Sequence, residues 1–193
     1  MSSDKPARGS IGAIRNPESD AAIMAAARDL LAEKGYGAFT MSEVARRAHA
    51  SKPTLYRRWD NKAALIFDLC MSDRTDRLRI AEQGNVAADL SAQIAALWRF
   101  WREAPTGTAL RAIIAEAQSD DVALQRVRDM IAPGMPEHAR LLIEAGIARG
   151  DLPPDFDTNT ALRLIVAFNW LHLLTGQISD ETPIAPAVRM LLR

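Results

Sequence analysis

Apolar residues recur along this chain at i, i+3 and i+4 almost throughout, the period of amphipathic helices. Ile23, Ala26, Ala27, Leu30 and Leu31 form the first such stripe, between Asn16-Pro17 and Gly35. Proline is tolerated in a first helical turn, and glycine ends a helix in the left-handed conformation without cost. A short helix is predicted behind Thr40-Met41-Ser42-Glu43, a capping-box pattern, with Met41, Val44, Ala45 and Ala48 inward and Ser42, Arg46 and Arg47 outward. Ser51 offers a second N-cap. The helix it starts, about 52–59, turns Leu55 and Trp59 inward and Pro53, Thr54, Arg57 and Arg58 outward, with Lys52 and Tyr56 on a flank.

Asp60-Asn61 caps a long helix from Lys62 to about Ile80, ended by Gly84-Asn85. Further helices are predicted at about 87–103, 107–118, 121–132, 137–149, 158–176 and 183–192, with Pro105, Pro133-Gly134 and Gly150 as punctuation and Thr182-Pro183 as the last cap. Period-two Val/Ile/Thr runs are absent, so the expected fold class is all-α. Two short capped helices joined by a three-residue turn outline a helix-turn-helix, whose second helix needs an apolar back and a donor-rich front. Leu55 and Trp59 supply the back; Lys52, Thr54, Tyr56 and Arg58 supply donors for phosphates or base edges.

Charge sharpens this reading. The 193 residues carry 24 Lys+Arg and 24 Asp+Glu. Residues 1–62 nevertheless hold 11 Lys/Arg against 7 Asp/Glu, and residues 46–62 hold six cations against Asp60 alone. A basic end on a neutral chain suggests that only this part meets a polyanion. Residues 1–16, with Lys5, Arg8 and Arg15 among small polar residues, read as a flexible basic arm. One cysteine, Cys70, precludes an intramolecular disulfide framework or a CxxC metal site. No signal-peptide core and no run of roughly 20 apolar residues is present, so a cytoplasmic setting without membrane contact is expected. With His49, His138 and His172 the only histidines, and no GxSxG, HExxH or glycine-rich phosphate loop, nothing suggests an enzyme, a metal or a cofactor.

The run Gly35-Tyr36-Gly37-Ala38-Phe39-Thr40-Met41-Ser42-Glu43-Val44-Ala45-Arg46-Arg47-Ala48, then Ser51-Lys52-Pro53-Thr54-Leu55-Tyr56-Arg57-Arg58-Trp59 and Asn61-Lys62, closely resembles the DNA-binding domain of the TetR family of bacterial transcriptional regulators. More weakly, Thr108-Ala109-Leu110-Arg111 and Ala148-Arg149-Gly150-Asp151-Leu152-Pro153 resemble the C-terminal domain of one branch of that family. The resemblance implies a three-helix DNA-binding domain (17–62) and a larger helical domain for dimerisation and ligand binding (63–193). It implies DNA contacts by Thr40, Ser42, Lys52, Pro53, Thr54, Tyr56 and Arg58, and a phosphate contact by Lys62. It also implies a homodimer on a palindromic operator, commonly a ligand-responsive repressor.

His49-Ala50 departs from the family's usual Gly-Val in the turn: histidine takes the left-handed region at some cost, so the turn is slightly strained or His49 touches the DNA backbone. The segment 161–174 is apolar at eleven of 14 positions and on every side, which points to a second subunit across about 158–192, or else to a wholly internal core helix. Trp98, Trp101, Phe168 and His172 either line an effector cavity or fill the core; few charges accompany them, which favours an apolar effector. The competing reading is an unregulated DNA-packaging or architectural protein with the same motif. It leaves the acidic helical domain of some 130 residues without a purpose.

Overall fold

The computed structural model describes residues 17–77, 84–131 and 137–193. Among them ten helices run in chain order and no strand occurs: α1 Pro17–Lys34, α2 Met41–Arg47, α3 Lys52–Arg58, α4 Lys62–Arg77, α5 Val86–Glu103, α6 Pro105–Ala117, α7 Asp121–Ile131, α8 Glu137–Arg149, α9 Thr158–Thr175 and α10 Ile184–Leu191. The expected basic arm, the ends of the 62–80 and 121–132 helices, and Pro133-Gly134 lie outside the described residues.

The all-helical expectation holds, and local chemistry accounts for the boundaries. Asn61 accepts from the Ala64 amide at 2.9 Å, Asn85 from Ala88 at 2.8 Å and Asp157 from Thr160 at 3.0 Å, each satisfying one amide that a helix start leaves bare. The sixth helix begins at Pro105 rather than 107, because proline occupies its first turn. Gly107 there faces the Trp101 backbone so closely that a Cβ would land on the Trp101 carbonyl, which fixes how tightly α6 turns off α5. The last cap differs from expectation. Asp180 Oδ1 takes both the amide and the hydroxyl of Thr182, at 3.0 and 2.7 Å. Thr182 therefore closes a turn with Asp180, and Pro183 stands at the N-cap without a side-chain bond.

The stripe Ile23, Ala27, Leu30 and Leu31 of α1 is buried with Phe39, Val44, Leu55 and Trp59. α1 packs on α2 and α4, and α2 on α3. α4 continues beyond this group and packs on α6, while α1 also reaches α6. α5 is central to the remainder, touching α4, α6, α8, α9 and α10. Its buried Asp89 meets the Arg149 guanidinium at 3.4 Å, and Trp98 Nε1 donates to Asn169 Oδ1 at 2.6 Å.

α9 has two faces. Ile165, Asn169, His172 and Leu173 are buried, whereas Leu164, Leu171 and Leu174 are about half exposed, joined by Met190 of α10 at 77%. An apolar groove of about 310 Å³ runs between α5, α9 and α10 beside Leu164 and Met190. No helix among the described residues is long and apolar enough to cross a membrane.

Candidate nucleic-acid interface

α2 and α3 are each seven residues long and individually too short to persist, so their caps and buried backs define them. Thr40 accepts from the Glu43 amide at 3.3 Å, and Ser51 from the Thr54 amide at 3.2 Å. Only half of the predicted capping box forms. The Glu43 carboxylate instead takes Arg46 at 2.7 and 2.9 Å and Arg47 at 3.1 Å. Those guanidinium hydrogen bonds, Arg46 first, hold Glu43 down to about 2.

The turn after α2 carries the one positive φ found at a non-glycine described residue, His49 at 50°. Its amide reaches the Arg46 carbonyl at 3.3 Å, and the Ala50 amide reaches Ala45 at 2.9 Å. This is the double bond pattern of a Schellman stop, with His49 at the position where glycine is usual. The expected left-handed turn is thus present, and the His49 side chain is exposed.

α3 is one-sided. Leu55 is fully buried and Trp59 is 3% exposed, with its indole N–H donating to Asp68 of α4 at 2.8 Å. Lys52, Pro53, Tyr56 and Arg57 are exposed, and Tyr56 is an aromatic ring left 46% open on a polar face. Thr54 is half-buried, its hydroxyl 2.8 Å from that of Ser51. Thr40 and Ser42 are exposed at the start of α2.

The cations divide into two groups. Arg47 does not point outward as expected: it folds back onto Glu33 of α1 at 2.7 Å. Arg58 pairs with Asp20 of α1 at 2.8 Å and lies 5.3 Å over the Trp59 ring. Lys62 sits 4.0 Å above the Tyr36 ring and 3.9 Å from Glu116 of α6. The Tyr36 hydroxyl in turn donates to Glu116 at 2.6 Å. Burial, and then the Glu116 carboxylate, push the Tyr36 phenol well above its ordinary range. Among the described residues Lys52 and Arg57 form no ion pair, so they are the cations most available to a polyanion. The spacing of Glu43 from Arg46 and Arg47 was readable as helical pairing. Nothing local announces Tyr36 with Glu116, 80 residues apart.

The aromatic residues expected at an effector cavity pack on one another. Trp98 stacks on His172 at 4.7 Å and on Phe168 at 5.5 Å, and the His172 Nδ1 donates to the Phe168 carbonyl at 2.8 Å. Trp101 lies 6.0 Å from Trp170 beside a crevice of only about 30 Å³. Phe168 also borders the groove of about 310 Å³ between α5, α9 and α10, and a larger cavity, about 680 Å³, opens at the junction of α4, α6 and α7, where Tyr36, Lys62 and Glu116 meet.

A cap-stapled helix pair with a buried back and a basic front, joined to a larger helical domain, defines a helix-turn-helix DNA-binding regulator. Residues 23–69 match the family described as bacterial regulatory proteins, tetR family, and residues 80–191 match the tetracyclin repressor-like C-terminal domain. The chain belongs to the TetR family of transcriptional regulators. It is 35% identical over 172 residues to the HTH-type transcriptional regulator YdeS of Bacillus subtilis, covering 88% of this chain and 86% of that one. It is 34% identical over 145 residues to the DNA-binding transcriptional repressor TetR of Mycobacteroides abscessus, covering 74% and 75%. Among solved structures, the TetR family transcription regulator SCO0332 superposes with a TM-score of 0.78 at 28% identity, covering 91% and 97%. Thermus thermophilus FadR, solved with lauroyl-CoA, shares the fold at a TM-score of 0.67 and 20% identity, covering 90% and 91%.

Proposed function

We propose that the chain is a cytoplasmic, ligand-responsive repressor that binds a palindromic operator as a homodimer. The observation that carries this reading is the one-sidedness of α3: Leu55 and Trp59 sealed behind, Lys52 and Tyr56 open in front. A rod with that division enters a major groove while its back stays on α2. Thr40, Ser42, Pro53 and Thr54 flank the same front. Arg58 joins it when a base edge replaces Asp20 as its partner, and Lys62 when a DNA phosphate replaces Glu116.

Dimerisation is assigned to α9 and α10. Leu164, Leu171 and Leu174 recur at i, i+7 and i+10 on the open side of α9, and a row of exposed leucines is best covered by a second copy. The division of the chain into a DNA-binding part, 17–62, and an effector and dimerisation part, 63–193, follows the same logic. An effector with an apolar body held in the second part shifts α4, which starts at Lys62 and packs on both α1 and α6. The spacing of the two recognition helices then changes, provided the effector prefers one spacing over the other. Regulation is favoured over DNA packaging because the C-terminal domain match covers 80–191.

A gel shift against the DNA flanking its own gene, with nonspecific competitor, tests the reading. A retarded band that survives competitor is expected. Binding equally well to any duplex supports packaging, and no binding ends the DNA assignment.

A further inference from the structure

We infer that the junction cavity is a binding site for an organic ammonium ion with an apolar body, which competes with the Lys62 side chain for its seat. A face of Tyr36 and the carboxylate of Glu116 form that seat, held together by the 2.6 Å hydrogen bond between them. An aromatic face beside a carboxylate is what recognises an ammonium group, one through its ring quadrupole and the other through charge. An ammonium already occupies it: Lys62 Nζ lies 4.0 Å above the ring and 3.9 Å from Glu116.

The seat opens into the 680 Å³ cavity, a volume in the range that holds small organic molecules. Apolar wall is supplied by Ala64 and Ile113, among others. Asp120 and Asp129 add negative charge to the lining against Arg126. They set the sign of the field, while Tyr36 and Glu116 make the contact. The Lys62 side chain is about one-third exposed, so it can leave without opening a core.

Exchange has a consequence for DNA, and this part rests on the assignment of Lys62 as a phosphate contact. With a ligand ammonium on Glu116, Lys62 is released toward the duplex. The ligand then acts as a co-repressor that tightens DNA binding.

The test uses benzylammonium chloride, with benzyl alcohol and sodium benzoate as neutral and anionic controls at matched ionic strength. Amide shift perturbations of the full-length protein report both affinity and place. Benzylammonium is expected to shift the signals of Tyr36, Lys62 and Glu116 and to bind more tightly than either control. Glu116→Gln should weaken it about two- to five-fold, the worth of one exposed ion pair, since the Tyr36 face stays in place. Lys62→Met removes the competitor and should tighten it several-fold, a gain that a structural role for Lys62 does not produce. Lys62→Gln repeats that arm with a polar side chain. Equal binding of the three probes, shifts elsewhere on the surface, or unchanged or weaker binding to both Lys62 variants overturns the proposal. A separate titration with duplex DNA should show tighter binding with benzylammonium for the wild type only. If the chain binds no duplex at all, the DNA assignment fails while the ligand site is still judged by the first titration.

Discussion

Arg58, the last residue of α3, reaches back 2.8 Å to Asp20 near the start of α1. The cation that most resembles a base-reading arginine is therefore held by an internal carboxylate in the unbound protein. Asp20 and DNA compete for it. Asp20→Asn is expected to strengthen duplex binding about two- to five-fold at low salt, the worth of one exposed ion pair. Arg58→Ala should weaken binding to the specific site. Fluorescence anisotropy with a labelled duplex checks both.

Lys62 predicts a different signature. A phosphate contact carries no base information, so Lys62→Ala should weaken specific and nonspecific duplexes alike. Its plot of log affinity against log salt should be shallower by about one unit of slope. A loss confined to one sequence would place Lys62 at a base edge instead.

His49 sits at φ 50° where the Schellman stop favours glycine. His49→Gly should raise stability by up to about 1 kcal/mol, since the left-handed penalty is relieved and part of that gain is returned as unfolded-chain entropy. Urea unfolding with an unchanged m-value measures it. A loss of DNA affinity in the same variant would mean that the imidazole touches the backbone of the duplex.

Glu43 gives a pH dependence. Its folded pKa of about 2 lies below the ordinary 4.5, so the unfolded chain takes up the proton first as pH falls. Its contribution to stability is present above about pH 4.5 and disappears between there and pH 2. Glu43→Gln should flatten the pH profile of stability in that window. Equal slopes for variant and wild type would mean the Arg46 and Arg47 contacts do not persist in solution.

Leu171 is 57% exposed at the middle of the open face of α9. Leu171→Glu places two like charges at a two-fold contact and should yield monomers by sedimentation, with operator binding lost as a consequence. A dimer that survives this change would move the interface away from α9.

Much of the helix-turn-helix was legible because its chemistry is local. Thr40, Ser51, Leu55 and Trp59 announce caps and buried backs within a few residues, and the structure places the two helices at 41–47 and 52–58. Asn61 marks the start of α4 by the same rule, whereas the Asp157 cap of α9 emerges only in the structure. Thr182 misled because its amide and hydroxyl donate to Asp180, two residues earlier, so it closes a turn there instead of offering its oxygen to the first amides of the last helix. The partners of Arg47, Arg58 and Lys62 come from Glu33, Asp20 and Glu116, whose proximity depends on how α1 and α6 pack. No spacing in the sequence encodes that. The same holds for the aromatic residues of α5 and α9: their helical period says buried, and only packing decides that Trp98 turns its N–H to Asn169 rather than toward a cavity.

Guanine methylation protection on the duplex flanking the gene would test the groove assignment most directly, because dimethyl sulfate attacks N7 in the major groove. Two protected patches, centred one helical turn or a multiple of it apart, are predicted, and Tyr56→Ala should weaken both together. Bound DNA whose guanine N7 positions all stay reactive would contradict the insertion of α3 into the major groove.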